Sequence, residues 1–309
     1  MVPRLNGLFL AVMLFASMFL CSCGDGEESV KVSLNKRQEI TARPQQPAVT
    51  YAYLPQYSHT ESFQRHHRLV EYLIEETGMP VRQVFPDSFS DHIRMFGQGK
   101  IDISFTNPFV YVKLANQFGA KAMARIIELD GRAEFRGQII ARKDNEAIQS
   151  LDDCRGKSWI AVDPASAGGY LFSLGHFVDH GVHIHDFKEV VFAGGRQENV
   201  ILSVYAGLHD LGSIREGSLK VVEKKIDISQ IRVVAASRSY PGWVYASSPR
   251  LSQEAADKIK KALLKLDYEG NPRHHVILEA ARFIGFVPSD DSDFDPIREL
   301  KKKVGMDLD

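Results

Sequence analysis

Residues 158–170 read Ser-Trp-Ile-Ala-Val-Asp-Pro-Ala-Ser-Ala-Gly-Gly-Tyr. An apolar run that suits a buried strand is followed by turn residues, and the two glycines then open a stretch of helical period. Strand, loop and helix in that order are the building unit of an α/β protein. The first amides of a helix lack carbonyl partners one turn back. Those of Gly168, Gly169 and Tyr170, with the Ser166 hydroxyl, therefore form a candidate anion cradle. A plain glycine-rich helix start accounts for the same residues equally well.

Outward from this segment, short apolar runs bounded by turn residues alternate with longer stretches of helical period. Strands are predicted at 49–54, 81–85, 101–106, 122–129 and 136–141, then at 158–162, 190–192, 210–213, 232–236 and 244–247. Helices are predicted between them and at 252–266, 274–281 and 296–304. In the first helix, Thr60 or Ser62 is the expected cap, Phe63, Val70, Leu73, Ile74 and Thr77 share a face, and Gly78 ends it. The pattern predicts a mixed α/β fold with largely parallel sheets. Residues 48–137 form one lobe, 138–234 a second lobe inserted into it, and 235–309 the return to the first lobe with the C-terminal helices. Two crossings between lobes make a hinge, so a ligand is expected in the cleft between them.

The first residues carry Arg4 and an apolar run from Leu8 to Leu20 that is too short to span a bilayer, so residues 1–22 read as a signal peptide. Leu20-Cys21-Ser22-Cys23 resembles a lipobox, which makes Cys23 the expected lipidated first residue. An ordinary secretory signal or an uncleaved anchor is the alternative. Residues 23–47 are polar and free of aromatics, the composition of a tether. With Cys21 removed and Cys23 acylated, Cys154 is the remaining thiol, expected to be small and buried, with no disulfide and no zinc site. A net charge of −1 gives no basic surface for nucleic acid.

His66-His67, His183/His185 and His274-His275 lack the partner spacing of a metal site, and no metal or cofactor is expected. Asp290 to Asp295 lacks the central glycine and closing glutamate of a calcium loop, and a solvated loop is expected there. No nucleophile elbow, Walker loop or metalloprotease helix occurs, so no catalytic residues and no enzymatic activity are assigned.

Three phrases carry a resemblance: residues 98–108 (Gln-Gly-Lys-Ile-Asp-Ile-Ser-Phe-Thr-Asn-Pro), Asp163-Pro164-Ala165-Ser166, and Phe192-Ala193-Gly194-Gly195 leading to residues 204–210 (Val-Tyr-Ala-Gly-Leu-His-Asp). In this order they are similar to the phosphate/phosphonate-binding proteins of ABC transporters. The resemblance implies a two-lobed periplasmic-binding-protein fold, type II-like, with two hinge crossings. It also implies a small anionic ligand, an ABC permease as partner, a monomer, and a location in the periplasm or cell envelope, to which the lipobox reading adds a lipid anchor. A sensor kinase that reads ligand occupancy is the competing partner, and a lipid-anchored enzyme the third alternative.

The resemblance also implies ligand positions. Phe89 and Phe135 stand where the family commonly has binding tyrosines, Ala167 and Gly168 where it has a threonine and a serine, and Arg196 or Gln197 where it has a histidine. Ser166 and Glu216 remain as polar groups. A hydrogen bond to a charged group contributes about 1.5–3 kcal/mol, so the four missing hydroxyls weaken simple phosphonates unless they are replaced. Arg196 is the expected replacement, with the anion packed on Phe89 and Phe135 and aminoalkylphosphonates disfavoured. Under a shifted alignment, Thr106, Asn107 or Tyr170 restores the donors.

Overall fold

The structure is a computed structural model that describes residues 48–306. The proposed signal peptide, Cys21, Cys23 and the whole tether lie outside the described residues.

The first lobe is built on β1 (Val49–Tyr53), α1 (His59–Thr77), β2 (Val81–Val84), α2 (Phe89–Gly97), β3 (Ile103–Thr106), α3 (Pro108–Phe118) and β4 (Lys121–Ile127). Two-residue strand β5 (Glu134–Phe135) leads into the second lobe. That lobe holds β6 (Gly137–Arg142), β7 (Ser158–Ala161), a π-helical turn (Ala167–Leu171) running into α4 (Phe172–Asp179), β8 (Glu189–Phe192), α5 (Gln197–Tyr205), β9 (Leu211–Arg215) and β10 (Ile231–Ala236). The chain returns through β11 (Tyr240–Pro241) to β12 (Val244–Ser247), α6 (Gln253–Lys265), α7 (Pro272–Ala281), β13 (Gly285–Pro288) and α8 (Asp295–Lys303).

One sheet has the order β13-β4-β12-β3-β1-β2 and the other β10-β6-β9-β7-β8. The two crossings between lobes are β5 and β11, which pair with each other antiparallel, Tyr240 opposite Phe135 and Pro241 opposite Glu134. The sheets are less parallel than the sequence suggests. The returning β12 runs antiparallel to both β3 and β4, and β6 is antiparallel to both β9 and β10. A strand that re-enters from the other lobe needs no helical crossover, so the parallel rule does not bind it.

Central strand β7 shows why the second lobe is layered. Trp159 and Ala161 face a core with Phe177 and Phe187, while Ile160 and Val162 face a core with Val200 and Val204. Alternation along one strand therefore fills both sides of the sheet. Buried Cys154 belongs to the first of these cores, where burial pushes its thiol up to about 12. Helix α1 buries Ser62, His66, Leu69, Val70, Tyr72 and Leu73, a face rotated from the predicted one. Phe63 and Ile74 are left exposed, and the cap is Ser58. The acidic run 290–295 is ordered by hydrogen bonds. Asp290 and Asp293 cap a helical turn, and Asp291 accepts from the Tyr111 hydroxyl at 2.8 Å.

Helix α8 belongs to both lobes. Its Leu300 sits where a side chain at Gly175 of α4 would be, since a Cβ there lies 2.3 Å from Leu300 Cδ1. Lys303 pairs with Asp179, and Val304 and Met306 pack on the second lobe's core. The C-terminal segment thus spans the hinge and does not simply complete the first lobe.

Two buried histidines of the first lobe are held neutral. His92 Nε2 lies 2.7 Å from the Ser104 hydroxyl, and burial pulls its pKa down to about 3. His66 Nδ1 lies 2.9 Å from the Tyr51 hydroxyl and is likewise pulled well below the ordinary range by burial. Between the unfolded value of 6.5 and the folded value the unfolded chain binds the extra proton. Stability is therefore expected to rise with pH across this window and to fall on acidification, by about 2 kcal/mol for His92 between pH 6.5 and pH 5, with His66 acting in the same direction. Urea midpoints at the two pH values check this: His92→Gln should flatten the dependence, and a flat wild-type response would contradict it.

Candidate functional site

The lobes close on each other and leave three adjoining cavities along the cleft. The innermost is about 10 Å³ and lies among Gln56, Phe89, Asn107, Phe135, Ser166, Ala167, Gly168, Gln197, Arg215 and Trp243. This is about the space of one water molecule. A second, about 20 Å³, shares Gln56, Arg215 and Trp243 and adds Tyr53, Arg65, Phe105, Glu128 and Arg282. The third, about 300 Å³, is the mouth, bounded by Tyr57, Arg132, Glu216 and Lys220 besides Arg65, Glu128, Phe135 and Arg215.

Arg215 lines all three. It stands at the end of β9, where the strand leaves the second lobe's core, and its backbone amide donates to Gln197 Oε1 at 2.9 Å. The guanidinium reaches across the cleft to Glu128, at the end of β4, and its carbon lies 5.1 Å from the centre of the Phe135 ring. Burial opposes its charge, but Glu128 and the Tyr57 and Tyr53 oxygens outweigh that and hold its pKa above the ordinary value. Its Nε is buried with no hydrogen-bond partner among the described residues, and so is Trp243 Nε1. Buried donors without partners are costly unless an acceptor arrives, so these two N–H groups favour an oxyanion in the cleft.

Arg65 comes from α1 in the first lobe. Its Nη2 donates to the Ala281 carbonyl at 2.9 Å, its carbon lies 4.8 Å from the Tyr57 ring centre, and its Nε is also buried without a partner among the described residues. The carbonyl is reachable because α7 ends in Arg282, a non-glycine residue at φ 64°. Arg282 itself lies 3.3 Å from Glu61.

The structure brings most of the sequence-predicted residues to this cleft. Phe89, Phe135, Ala167, Gly168, Ser166, Asn107 and Gln197 line the innermost cavity. Several are already engaged. Ser166 Oγ accepts from the Gly169 amide at 3.2 Å, so that amide is turned inward to cap the helix. Asn107 Oδ1 accepts from Phe109 and Val110, while its Nδ2 donates across the cleft to the Ala165 carbonyl at 3.2 Å. Glu216 is at the mouth, 3.0 Å from Arg132. Besides Gly169, which lies against Val162 and the Ser166 hydroxyl, three residues stand elsewhere. Tyr170 packs on Trp159 and Phe192 in the second lobe, and Thr106 is buried outside all three cavities. Arg196 is exposed at the start of α5 and lines none of them, because the turn through Gly194 and Gly195 carries it outward while Gln197 points in. The guanidinium that lines all three cavities is that of Arg215.

Gly168 packs against both Phe135 and Arg215. A Cβ at this position would lie 2.8 Å from Phe135 Cε2 and 3.1 Å from Arg215 Cα. The Phe135 ring fills the space of a side chain at 168, so the residues at 135 and 168 are coupled by packing. Sequence reasoning missed Arg215, Arg65, Glu128 and Trp243. The available signals were a charge directly after a buried strand and one of two tryptophans following Tyr240-Pro241-Gly242.

The profile of a family described as ABC transporter, phosphonate, periplasmic substrate-binding protein matches residues 51–294. The chain is 26% identical over 293 residues to the phosphate-import protein PhnD of Mycolicibacterium smegmatis, covering 88% of this chain and 91% of that protein. Its fold is similar to that of a binding protein component of an ABC phosphonate transporter from Pseudomonas aeruginosa, with TM-score 0.73 at 22% identity over 83% of this chain and 86% of that one. It is also similar to PhnD1 of Prochlorococcus marinus in complex with methylphosphonate, with TM-score 0.74 at 17% identity over 84% and 98%. Among the described residues no helix is long and apolar enough to cross a membrane. Two lobes joined by a paired hinge, a closed cleft with unpartnered donors, and a profile match across most of the chain place this protein in the family of phosphonate-type periplasmic substrate-binding proteins of ABC transporters.

Proposed function

We propose that the protein captures a small oxyanion in the inter-lobe cleft, with Arg215 as principal cation, and delivers it unchanged to an ABC permease. The observation that carries this is Arg215 itself, a charged residue of one lobe inserted beside all three cavities and ion-paired to the other lobe, with its Nε–H unpartnered. Closure thereby completes the site. Phosphate and methylphosphonate, the compounds named for the relatives, are the starting candidates. Arginine stays protonated and neither gives nor takes a proton at neutral pH, which suits holding over turnover.

A panel of phosphate, phosphite, methylphosphonate, small sulfonates and carboxylates in a thermal-shift assay tests the reading. Ligand at 100 times its Kd is expected to raise Tm by about 5–10 °C. Aminoethylphosphonate should give a smaller shift than methylphosphonate, because its ammonium would lie near Arg65 and Arg215. A panel without any shift would contradict the proposal, and so would recovery of chemically altered ligand by mass spectrometry.

The reading includes a lipid anchor at Cys23 and a monomeric state. The anchor is supported by the lipobox-like Leu20-Cys21-Ser22-Cys23 and the polar segment after it. Cys23→Ser should abolish incorporation of labelled fatty acid and release the protein from membranes, whereas incorporation that persists would place the anchor elsewhere.

A further inference from the structure

The two inner cavities differ in what they offer. The innermost is bordered by the start of the α4 helical segment, Gln197 and Trp243; the second by Arg65, Tyr53 and Glu128. Gln56, Arg215 and Trp243 are common to both. Charge is not balanced between them. Arg215 is matched by Glu128, but Arg65 has no carboxylate within ion-pairing distance among the described residues. Its Nη groups are spent on the Tyr53 hydroxyl and the Ala281 carbonyl, while its buried Nε–H has no acceptor. A largely desolvated guanidinium facing neutral oxygens and rings lacks the counter-charge that such a group ordinarily needs.

Resting on the oxyanion reading above, we propose that the ligand carries a second anionic group and that Arg65 selects for it. With the lobes parted from this closed arrangement to admit the ligand, one end lies beside Ser166, Gly168 and Gln197. The other lies on Arg65 and supplies the missing counter-charge. Arg215, shared by both compartments, contacts both ends. The chemical class is a short dianion such as a phosphonate or carboxylate bearing another carboxylate. A free ammonium at that end would face Arg65 and is rejected.

Calorimetric titration of the mature protein with methylphosphonate and with phosphonoacetate tests this. Wild type is expected to bind phosphonoacetate at least about 10-fold more tightly. In Arg65→Met that preference should fall to within about threefold, phosphonoacetate losing more affinity than methylphosphonate. Arg65→Lys keeps the charge without the planar fork and should retain part of the preference, which separates charge from folding damage. Arg215→Met should weaken both ligands. A wild-type protein without preference, or a preference that survives in Arg65→Met, overturns the role of Arg65. If methylphosphonate still binds in an Arg215-dependent manner, the oxyanion reading stands; if neither compound nor any other small oxyanion binds, both fall.

Discussion

Replacing Arg215 by methionine is expected to weaken oxyanion binding by at least about two orders of magnitude, the largest effect of any single substitution in the cleft. Two consequences act together. The anion loses charge-assisted hydrogen bonds contributing about 1.5–3 kcal/mol each. Glu128, which Arg215 holds across the cleft, becomes an uncompensated negative charge beside the incoming anion. The second effect is separable. Adding Glu128→Gln to Arg215→Met should recover stability and ligand-free closure but little affinity, because it removes repulsion without restoring a donor. Calorimetry on both variants checks this, and affinity within threefold of wild type in the single variant would place the anion elsewhere.

Gly168→Ser is the second large effect, and it acts against an intuitive repair. Serine at this position would seem to return a hydroxyl to the pocket. Its Cβ, however, meets the Phe135 ring at 2.8 Å and the Arg215 backbone at 3.1 Å. Overpacking of this kind costs about 1–3 kcal/mol, and here it also displaces the residue that carries the charge. The variant should melt several degrees lower and bind more weakly. Phe135→Ala opens the space, so the double variant should be more stable than the sum of the single effects predicts. Strict additivity in chemical denaturation would show that the ring and the glycine are not coupled.

The parts of the fold that follow from local chemistry were legible in the sequence. Asn107-Pro108 announces a helix start, because asparagine caps the first amides and proline has none to offer. The unbroken apolar run of β7 announces a strand covered on both faces. Other parts depend on partners distant in the chain. Strands β5 and β11 are two residues each and exist only because the crossings lie side by side. The direction of β12 follows from where the chain re-enters the first lobe. The buried face of α1 is set by the aromatic side chains of Tyr51, Tyr53 and Phe105, which surround His66, and not by the most hydrophobic stripe.

The candidate site divides in the same way. Phe89, Phe135, Ser166 and Gly168, named through the resemblance, line the innermost cavity. Arg65 and Arg215 were not named, because nothing local separates a cleft arginine from a solvated one. Arg65 sits among helix residues of mixed character, and Arg215 follows a strand as many surface charges do. Arg196 looked the stronger candidate on position alone. Burial decides between them, and burial is a property of the closed pair of lobes.

The most direct test of the oxyanion site is a crystal structure of the mature protein grown with a phosphonate that the thermal-shift panel shows to bind. The account predicts density between the lobes, with ligand oxygens within hydrogen-bonding distance of the Arg215 guanidinium and of the Trp243 Nε1–H. Ligand seated on Arg196, or outside the cleft with Arg215 still bonded only to Glu128, would contradict it.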